Sequence, residues 1–326
     1  MKDAPLVFAL RETQALGHAI AARLGCEPAP LEERDFEDGE HKIRPLANVR
    51  GRDVYVIQSL HGEADSSPND KLVRLLMFIG ALKDAAAARV TAVVPYLAYA
   101  RKDQKSKPLD PVSTRYVAGF FESVRCDAVV AIDVHNVAAF QNAFRCCTEH
   151  LEAASLLAAR CVPLVGASPA VVVSPDEGGI KRADRFRHRL AALLGRPVGA
   201  AFAEKYRSAG LLRGNVLVGD VRGQVAVIVD DLVAAGNTLD RAARACAADG
   251  ATRVVAAVTH AVFTAEADEV LGNSPIDAIV VTDTIPPGRL RHAGLASRVE
   301  VVATAPLFGE AIARMHAGGS VVELNG

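Results

Sequence analysis

The chain carries no CxxC pair, no GxxxxGK[ST] loop, no GxGxxG fingerprint and no apolar run near the ~20 residues needed to cross a bilayer. These absences argue against a P-loop kinase, a dinucleotide-dependent dehydrogenase and a membrane-spanning helix. The six cysteines are scattered, and adjacent Cys146 and Cys147 suit no common metal site. They read as small core residues in a reducing compartment. Excess charge of either sign is lacking too. Against 38 Asp and Glu stand 37 Lys and Arg, a net −1 that gives nucleic acid or an anionic membrane no hold through bulk electrostatics. No low-complexity segment appears. Arg11 and Glu12 break any apolar leader near Met1, so a cytoplasmic protein is expected.

Half of the 326 residues are hydrophobic, ample for two cores. Apolar β-rich runs recur at Val54–Ile57, Val90–Pro95, Ala128–Ile132, Val171–Ser174, Val225–Val229, Val254–Thr259, Ala278–Val281 and Val299–Ala303. Helical stretches such as Lys71–Ala88, Arg115–Val124, Ile180–Leu194 and Leu239–Asp249 separate most of them. This alternation predicts α/β architecture, with parallel sheets and right-handed crossovers. Both halves hold an apolar strand ending in an acid, at Asp133 and at Asp230-Asp231. That pattern suits two related doubly wound domains with ligands at the carboxyl ends of the strands. The expected division is 1–150 and 151–326, with the boundary between about Cys147 and Pro169 and the extreme C-terminus able to pack back on the first domain.

The most informative stretch runs from Ala226 to Leu239. A continuous apolar run reads as a strand buried on both faces. Asp230 and Asp231 end it, the small residues Ala234, Ala235, Gly236 and Asn237 form a turn, and Thr238 opens a helix. Unpaired N–H groups and the positive end of a helix dipole cradle phosphate, while adjacent carboxylates accept from sugar hydroxyls. Together they point to a phosphorylated ribose. Elsewhere, Asp133-Val134-His135 closes a strand, and alternation in an extended segment would send both side chains to one face, able to hold a divalent ion or its waters. A purely structural His is the other reading. Tyr99-Ala100-Arg101-Lys102-Asp103 is a basic loop, Ser174-Pro175-Asp176-Glu177-Gly178-Gly179 a strand-to-helix turn, and Glu204-Lys205-Tyr206-Arg207 a charged segment ahead of the loop-forming Ser208-Ala209-Gly210.

In that order these motifs resemble those of the ribose-phosphate diphosphokinase family, the synthetases of phosphoribosyl diphosphate (PRPP), across nearly the whole chain from Phe36 to about His316. The resemblance implies phosphoribosyltransferase-like domains and transfer of the diphosphoryl group of ATP to the C1 hydroxyl of ribose 5-phosphate. The products would be PRPP and AMP. It implies ATP contacts from Phe36, Asp38, Glu40, Arg101, Lys102, Asp103 and His135, those of the Phe36–Glu40 loop being made to a neighbouring subunit. Ribose 5-phosphate would be held by Asp176, Asp230, Asp231, Ala234, Ala235, Gly236, Asn237 and Thr238. Mg²⁺ would sit at Asp133, His135 and Asp176, with Lys205 and Arg207 as catalytic cations on a flexible loop, in a homo-oligomer, a dimer or larger, up to a hexamer.

Several positions depart from the family pattern. Ala234 and Ala235 stand where an Asp or Ser and a Thr are usual, and Asn237 where Gly is usual, although Asn tolerates positive φ best among the other residues. Lys102 replaces a Gln and Glu177 a small residue. Lys105 and Lys107 remain where phosphate-regulated members carry several Arg, so regulation by phosphate and ADP is expected to be weak. A catalytically weak paralogue that regulates or scaffolds an active synthetase is the alternative.

Overall fold

The computed structural model describes residues 4–208, 211–286, 288 and 290–325, with only the backbone of 204–208 and 211–216. The chain divides into two compact units, Met1–Glu152 with Thr304–Gly326, and Ala153–Ala303.

The first unit holds strands β1 (Leu6–Ala9), β2 (Leu31–Asp35), β3 (His41–Pro45), β4 (Asp53–Ile57), β5 (Arg89–Val93), β6 (Ala128–Ile132) and β7 (Cys147–Leu151), with helices α1 (Gln14–Arg23), α2 (Pro68–Asp84), α3 (Ser113–Ser123) and α4 (Val137–Ala143). Its main sheet runs β1-β4-β5-β6-β7, parallel throughout, while β2 and β3 form an antiparallel hairpin. Alternate strand residues Phe8, Val54, Val56, Val90, Ala92, Val129 and Ala131 pack under Leu75, Phe78 and Ile79 of α2, Val117 and Phe121 of α3 and Phe140 of α4. Such near-continuous apolar strands are what a sheet covered on both faces requires. The start of α2 lies upstream of the apolar periodicity because Ser67 and Asp70 form a reciprocal capping box around Pro68. A cap of this kind is worth about 1 kcal/mol.

The second unit holds α5 (Ala154–Val165), β8 (Ala170–Ser174), α6 (Ile180–Leu194), β9 (Gly199–Ser208), β10 (Leu211–Val218), β11 (Val225–Val233), α7 (Asn237–Ala248), β12 (Arg253–Ala261), α8 (Ala267–Gly272), β13 (Ala278–Thr282), α9 (Ala293–Ala296) and β14 (Val299–Val302). Its seven strands are ordered β10-β9-β8-β11-β12-β13-β14, with β10 alone antiparallel to its neighbour. Leu239, Ala242, Ala243 and Cys246 of α7 cover Val171, Val173, Ala226, Ile228, Val254 and Ala256 on one sheet face. Chain order reverses between β8 and β11, since β8 leads outward to β9 and β11 outward to β12. In open α/β sheets the crevice at such a reversal is the usual ligand site.

A last helix, α10 (Ala305–Ala317), belongs to the first unit and packs on α1. Asp53 anchors its end: it receives two bonds from Arg89, at 2.7 and 2.6 Å, and lies 2.7 Å from His316 Nδ1, while Arg89 also donates to the carbonyl of Met315. These partners hold the Asp53 carboxyl below its ordinary range, although burial pushes the other way. Among the described residues no helix is long and apolar enough to cross a membrane.

Candidate active site

Both strands that flank the reversal in the second unit deliver acids to it. Asp230 and Asp231 do not terminate β11, as the apolar run suggested. The strand continues to Val233, because Asp230, Leu232 and Val233 pair with Val258, His260 and Ala261 of β12. Beyond β8, Ser174 Oγ donates to the carbonyl of Asp176 at 2.6 Å, and the Asp176 carboxylate accepts from Gly179 N–H at 3.1 Å. A side chain at Gly179 would place its first carbon 2.7 Å from Ser174 Oγ, so glycine is needed for this turn to close. The turn aims the first residues of α6 at β11.

Arg182 is the consequence. Its Nη1 lies 3.2 Å from Asp230 Oδ1 and 3.4 Å from Asp231 Oδ1, and Asp230 Oδ1 also accepts from Asp231 N–H at 2.9 Å. Asp231 is almost wholly buried. Burial first, then the neighbouring Asp231 charge, push the Asp230 carboxyl well above the ordinary carboxylate range, and Arg182 offsets part of this. Arg182 lies in the first turn of α6, three residues after Gly179. Its partners in the fold are the two carboxylates, a residue pairing across 48 positions that no local pattern reveals.

The following turn differs from expectation in its register. Helix α7 opens at Asn237, one residue before Thr238, and Gly236 at φ +89° carries the left-handed backbone. Asn237 is helical, so its tolerance of positive φ is not called upon. A Cβ on Gly236 would stand 2.6 Å from the Leu271 side chain, a second reason for glycine there. Ala234, Ala235 and Thr238 are half-buried around the mouth of the turn. A helix N-terminus, two carboxylates and Asp176 thus converge on one end of the sheet.

Lys205 and Arg207 fall in β9, opposite Asn215 and Leu212 of β10, rather than in a loop. Alternation puts apolar Ala201 and Ala203 in the sheet ahead of them, and the strand simply extends through the charged residues. Their side chains, and Ala209 and Gly210, lie outside the described residues.

In the first unit, two predicted segments come together. Asn136 caps α4 by accepting from Ala139 N–H at 3.1 Å, and its amide donates to Asp103 at 2.6 Å. Thr114 Oγ1 donates to the carbonyls of Tyr99 and Lys102 at 2.9 and 3.3 Å, pinning the Tyr99–Asp103 segment on α3. The geometry of Asp133-Val134-His135 departs from the extended reading. Asp133 has φ +41°, which ends the alternation, so its carboxylate is buried while His135 is exposed. Strain of this kind is kept where surrounding structure enforces it, often at functional sites. Lys102, expected to contact ATP, is held by Asp110 at 2.6 Å and Ser106 at 2.7 Å. These bonds draw the Asp110 carboxyl down to about 2. Arg101, Lys105 and Lys107 are exposed.

Phe36, Asp38 and Glu40 form the tip of the β2–β3 hairpin. Phe36 N–H donates to the carbonyl of Glu40 at 2.8 Å, Glu40 N–H to Asp38 at 3.1 Å, and the Arg34 guanidinium stacks 5.1 Å from the Phe36 ring. Arg74 of α2 anchors the hairpin through Asp35 at 2.5 Å and also grips Glu12 at 3.2 Å. Arg74 carried no sequence signal, since it occupies a helical position like any other.

Among the described residues no three His, Cys, Asp or Glu side chains gather as a cation cage. Asp133 offers one buried carboxylate at a strand end and Asp176 one half-buried carboxylate in the other unit. Such sparse donors fit Mg²⁺, which keeps most of its waters and takes phosphate oxygens from a substrate.

A sequence profile for the N-terminal domain of ribose phosphate pyrophosphokinase matches residues 6–124, and one for the phosphoribosyl synthetase-associated domain matches residues 214–325. A ribose-phosphate pyrophosphokinase of Caldanaerobacter subterraneus is 37% identical over 319 residues, 98% of this chain and 96% of that protein. One of Aquifex aeolicus is 35% identical over 98% of both chains. The crystal structure of phosphoribosylpyrophosphate synthetase from Mycobacterium smegmatis superposes with a TM-score of 0.86 at 31% identity, covering 97% of this chain and all of that one. With two profiles in the same order and full-length relatives above a third identical, the chain belongs to the ribose-phosphate pyrophosphokinase family.

Proposed function

We propose that this enzyme transfers the diphosphoryl group of ATP to the C1 hydroxyl of ribose 5-phosphate, yielding PRPP and AMP. One observation carries the reading: the Asp230–Asp231 pair and the N-terminus of α7 sit side by side where the strand order reverses. The 5-phosphate lies on the N–H groups of 234–238, at the N-terminus of α7. The ribose hydroxyls donate to Asp230 and Asp231, with Asp176 on the flanking turn. Arg101, Asp103 and His135 of the first unit take ATP, and Phe36, Asp38 and Glu40 serve a neighbouring copy in a homo-oligomer. Asp133 and His135 in the first unit and Asp176 in the second are the groups that would meet Mg²⁺, which would neutralise charge on the phosphates.

The C1 oxygen attacks the β-phosphorus in line as the bond to the AMP oxygen breaks, and the proton of the C1 hydroxyl passes to solvent or a substrate oxygen. Chemistry of this kind depends on positioning and on charge at the transferring group more than on covalent participation. Lys205 and Arg207 supply that charge when their strand segment meets the polyphosphate. The work takes place in the cytoplasm.

The test is AMP release from ATP with Mg²⁺ and ribose 5-phosphate beside a control lacking the sugar. Sugar-dependent AMP supports the reading, and its absence defeats it. A second reading, a weakly active paralogue that regulates an active synthetase, is favoured by one feature: Ala234 and Ala235 bring no polar side chain to the phosphate turn.

A further inference from the structure

Before α7 begins, the turn that receives the phosphate carries only Ala, Ala and Gly side chains, so its one hydroxyl comes from Thr238, the second residue of the helix. The segment following β12 runs directly alongside. Phe263 N–H donates to the carbonyl of Val233 at 3.0 Å, and Thr264 N–H to the carbonyl of Ala234 at 3.1 Å. These two bonds prolong the β11–β12 ladder past its regular end and carry it into the phosphate turn. Phe263 pays a conformational cost to do so: it sits at φ +32°, with its ring buried in the core beside Val233, Leu239 and Leu271. A buried aromatic in left-handed backbone persists only where packing enforces it. Thr264 is then fixed at both backbone groups, since its carbonyl accepts from Ala267 N–H at 2.9 Å, while its side chain is exposed. The chain thus holds a hydroxyl-bearing residue, with a rigid backbone and an open side chain, on the carbonyl of the first residue of a turn whose residues ahead of α7 carry no hydroxyl.

We propose that Thr264 supplies the side-chain hydroxyl to the 5-phosphate of ribose 5-phosphate, in place of a donor from the turn itself. The inference rests on the site reading given above. A hydroxyl donating to a charged phosphate is a charge-assisted bond, and losing it is expected to weaken binding about tenfold. Because the side chain is exposed and its backbone is held by groups that substitution leaves intact, Thr264→Val retains shape and fold and removes only the hydroxyl.

Calorimetric titration of ribose 5-phosphate into the full-length protein without ATP tests this directly. T264V should bind about tenfold more weakly than wild type, and T264S like wild type. In an A235T background, where the turn regains its own hydroxyl, the T264V loss should shrink to within about twofold, because the two donors serve one phosphate. Unfolding temperatures of all variants within a degree or so of wild type would exclude a general loss of structure. Equal affinity of T264V and wild type overturns the inference while leaving the site reading in place. A tenfold loss that persists undiminished in the A235T background also overturns it, because it places Thr264 on a different group. A wild type that fails to bind ribose 5-phosphate overturns both.

Discussion

Arg182→Met strips the buried acid pair of its cation, and the structure sets the size of the effect. A unit charge 3.2–3.4 Å from a carboxylate oxygen is worth about 5 kcal/mol at an effective dielectric near 20. Part of this is offset by the desolvation that Arg182 no longer suffers, so about 3 kcal/mol should be lost when both carboxylates are ionised. The loss must depend on pH. Asp230 already titrates well above the ordinary carboxylate range through burial and its neighbour Asp231. The folded state therefore holds that proton more tightly than the unfolded chain does, and stability falls as pH rises toward the folded pKa. Removing Arg182 raises this pKa further and extends the fall to higher pH. On the acid side, where the variant keeps the proton, it should lose only ~1 kcal/mol, whereas on the alkaline side, where both carboxylates ionise, the full loss appears. For a unit of this size that is a deficit of roughly 2–4 °C on the acid side and about 6–12 °C on the alkaline side in thermal unfolding. Arg182→Lys should lie between, since ammonium restores charge but not the guanidinium plane. Equal deficits on the acid and alkaline sides would refute the electrostatic account and leave Arg182 a packing residue.

The remaining expectations concern activity. Lys205→Ala and Arg207→Ala should each lower kcat by about 10²-fold or more with unfolding temperature unchanged, and near-normal turnover in both would remove them from the reaction. Asp133→Asn, which tolerates the positive φ but loses the charge, should raise the Mg²⁺ concentration for half-maximal activity; undiminished turnover in excess EDTA would contradict a metal requirement altogether. Ala235→Thr should tighten ribose 5-phosphate by up to about tenfold, read as a fall in KM, whereas an unchanged KM would mean the turn is shaped for another ligand. Inorganic phosphate should activate little, because Asp110 occupies Lys102 and the exposed Lys105 and Lys107 lack bidentate forks; a sigmoidal phosphate response would place an effector site elsewhere.

How much was legible in the sequence can be judged from particular elements. The apolar strands at 54–57, 128–132, 171–174 and 278–281 and the helix at 180–194 stand where periodicity put them, because strands buried on both faces must be continuous apolar runs. Missed altogether were β1, the β2–β3 hairpin, β7 and β9. Leu31–Asp35 reads as Leu-Glu-Glu-Arg-Asp, and its strand state rests on pairing with His41–Pro45 rather than on any pattern of its own. Helix starts drifted for a similar reason: α2 begins at a capping box that apolar spacing does not register.

By itself, then, the sequence determined the α/β class, the acid that follows β6 and the glycine of the phosphate turn, since each is written in local residue types whose backbone or burial demands are strong. Only the tertiary structure decided which groups meet. Parallel pairing of β8 with β11 sets Asp176, Arg182, Asp230 and Asp231 in one cluster, although they span 55 positions of chain. The left-handed turn at Asp133 parts its carboxylate from His135, and the run of β12 beyond its last ladder pair brings Thr264 to Ala234. Such contacts depend on strand order and register, which a non-local hydrogen-bond ladder fixes and no short stretch of sequence encodes.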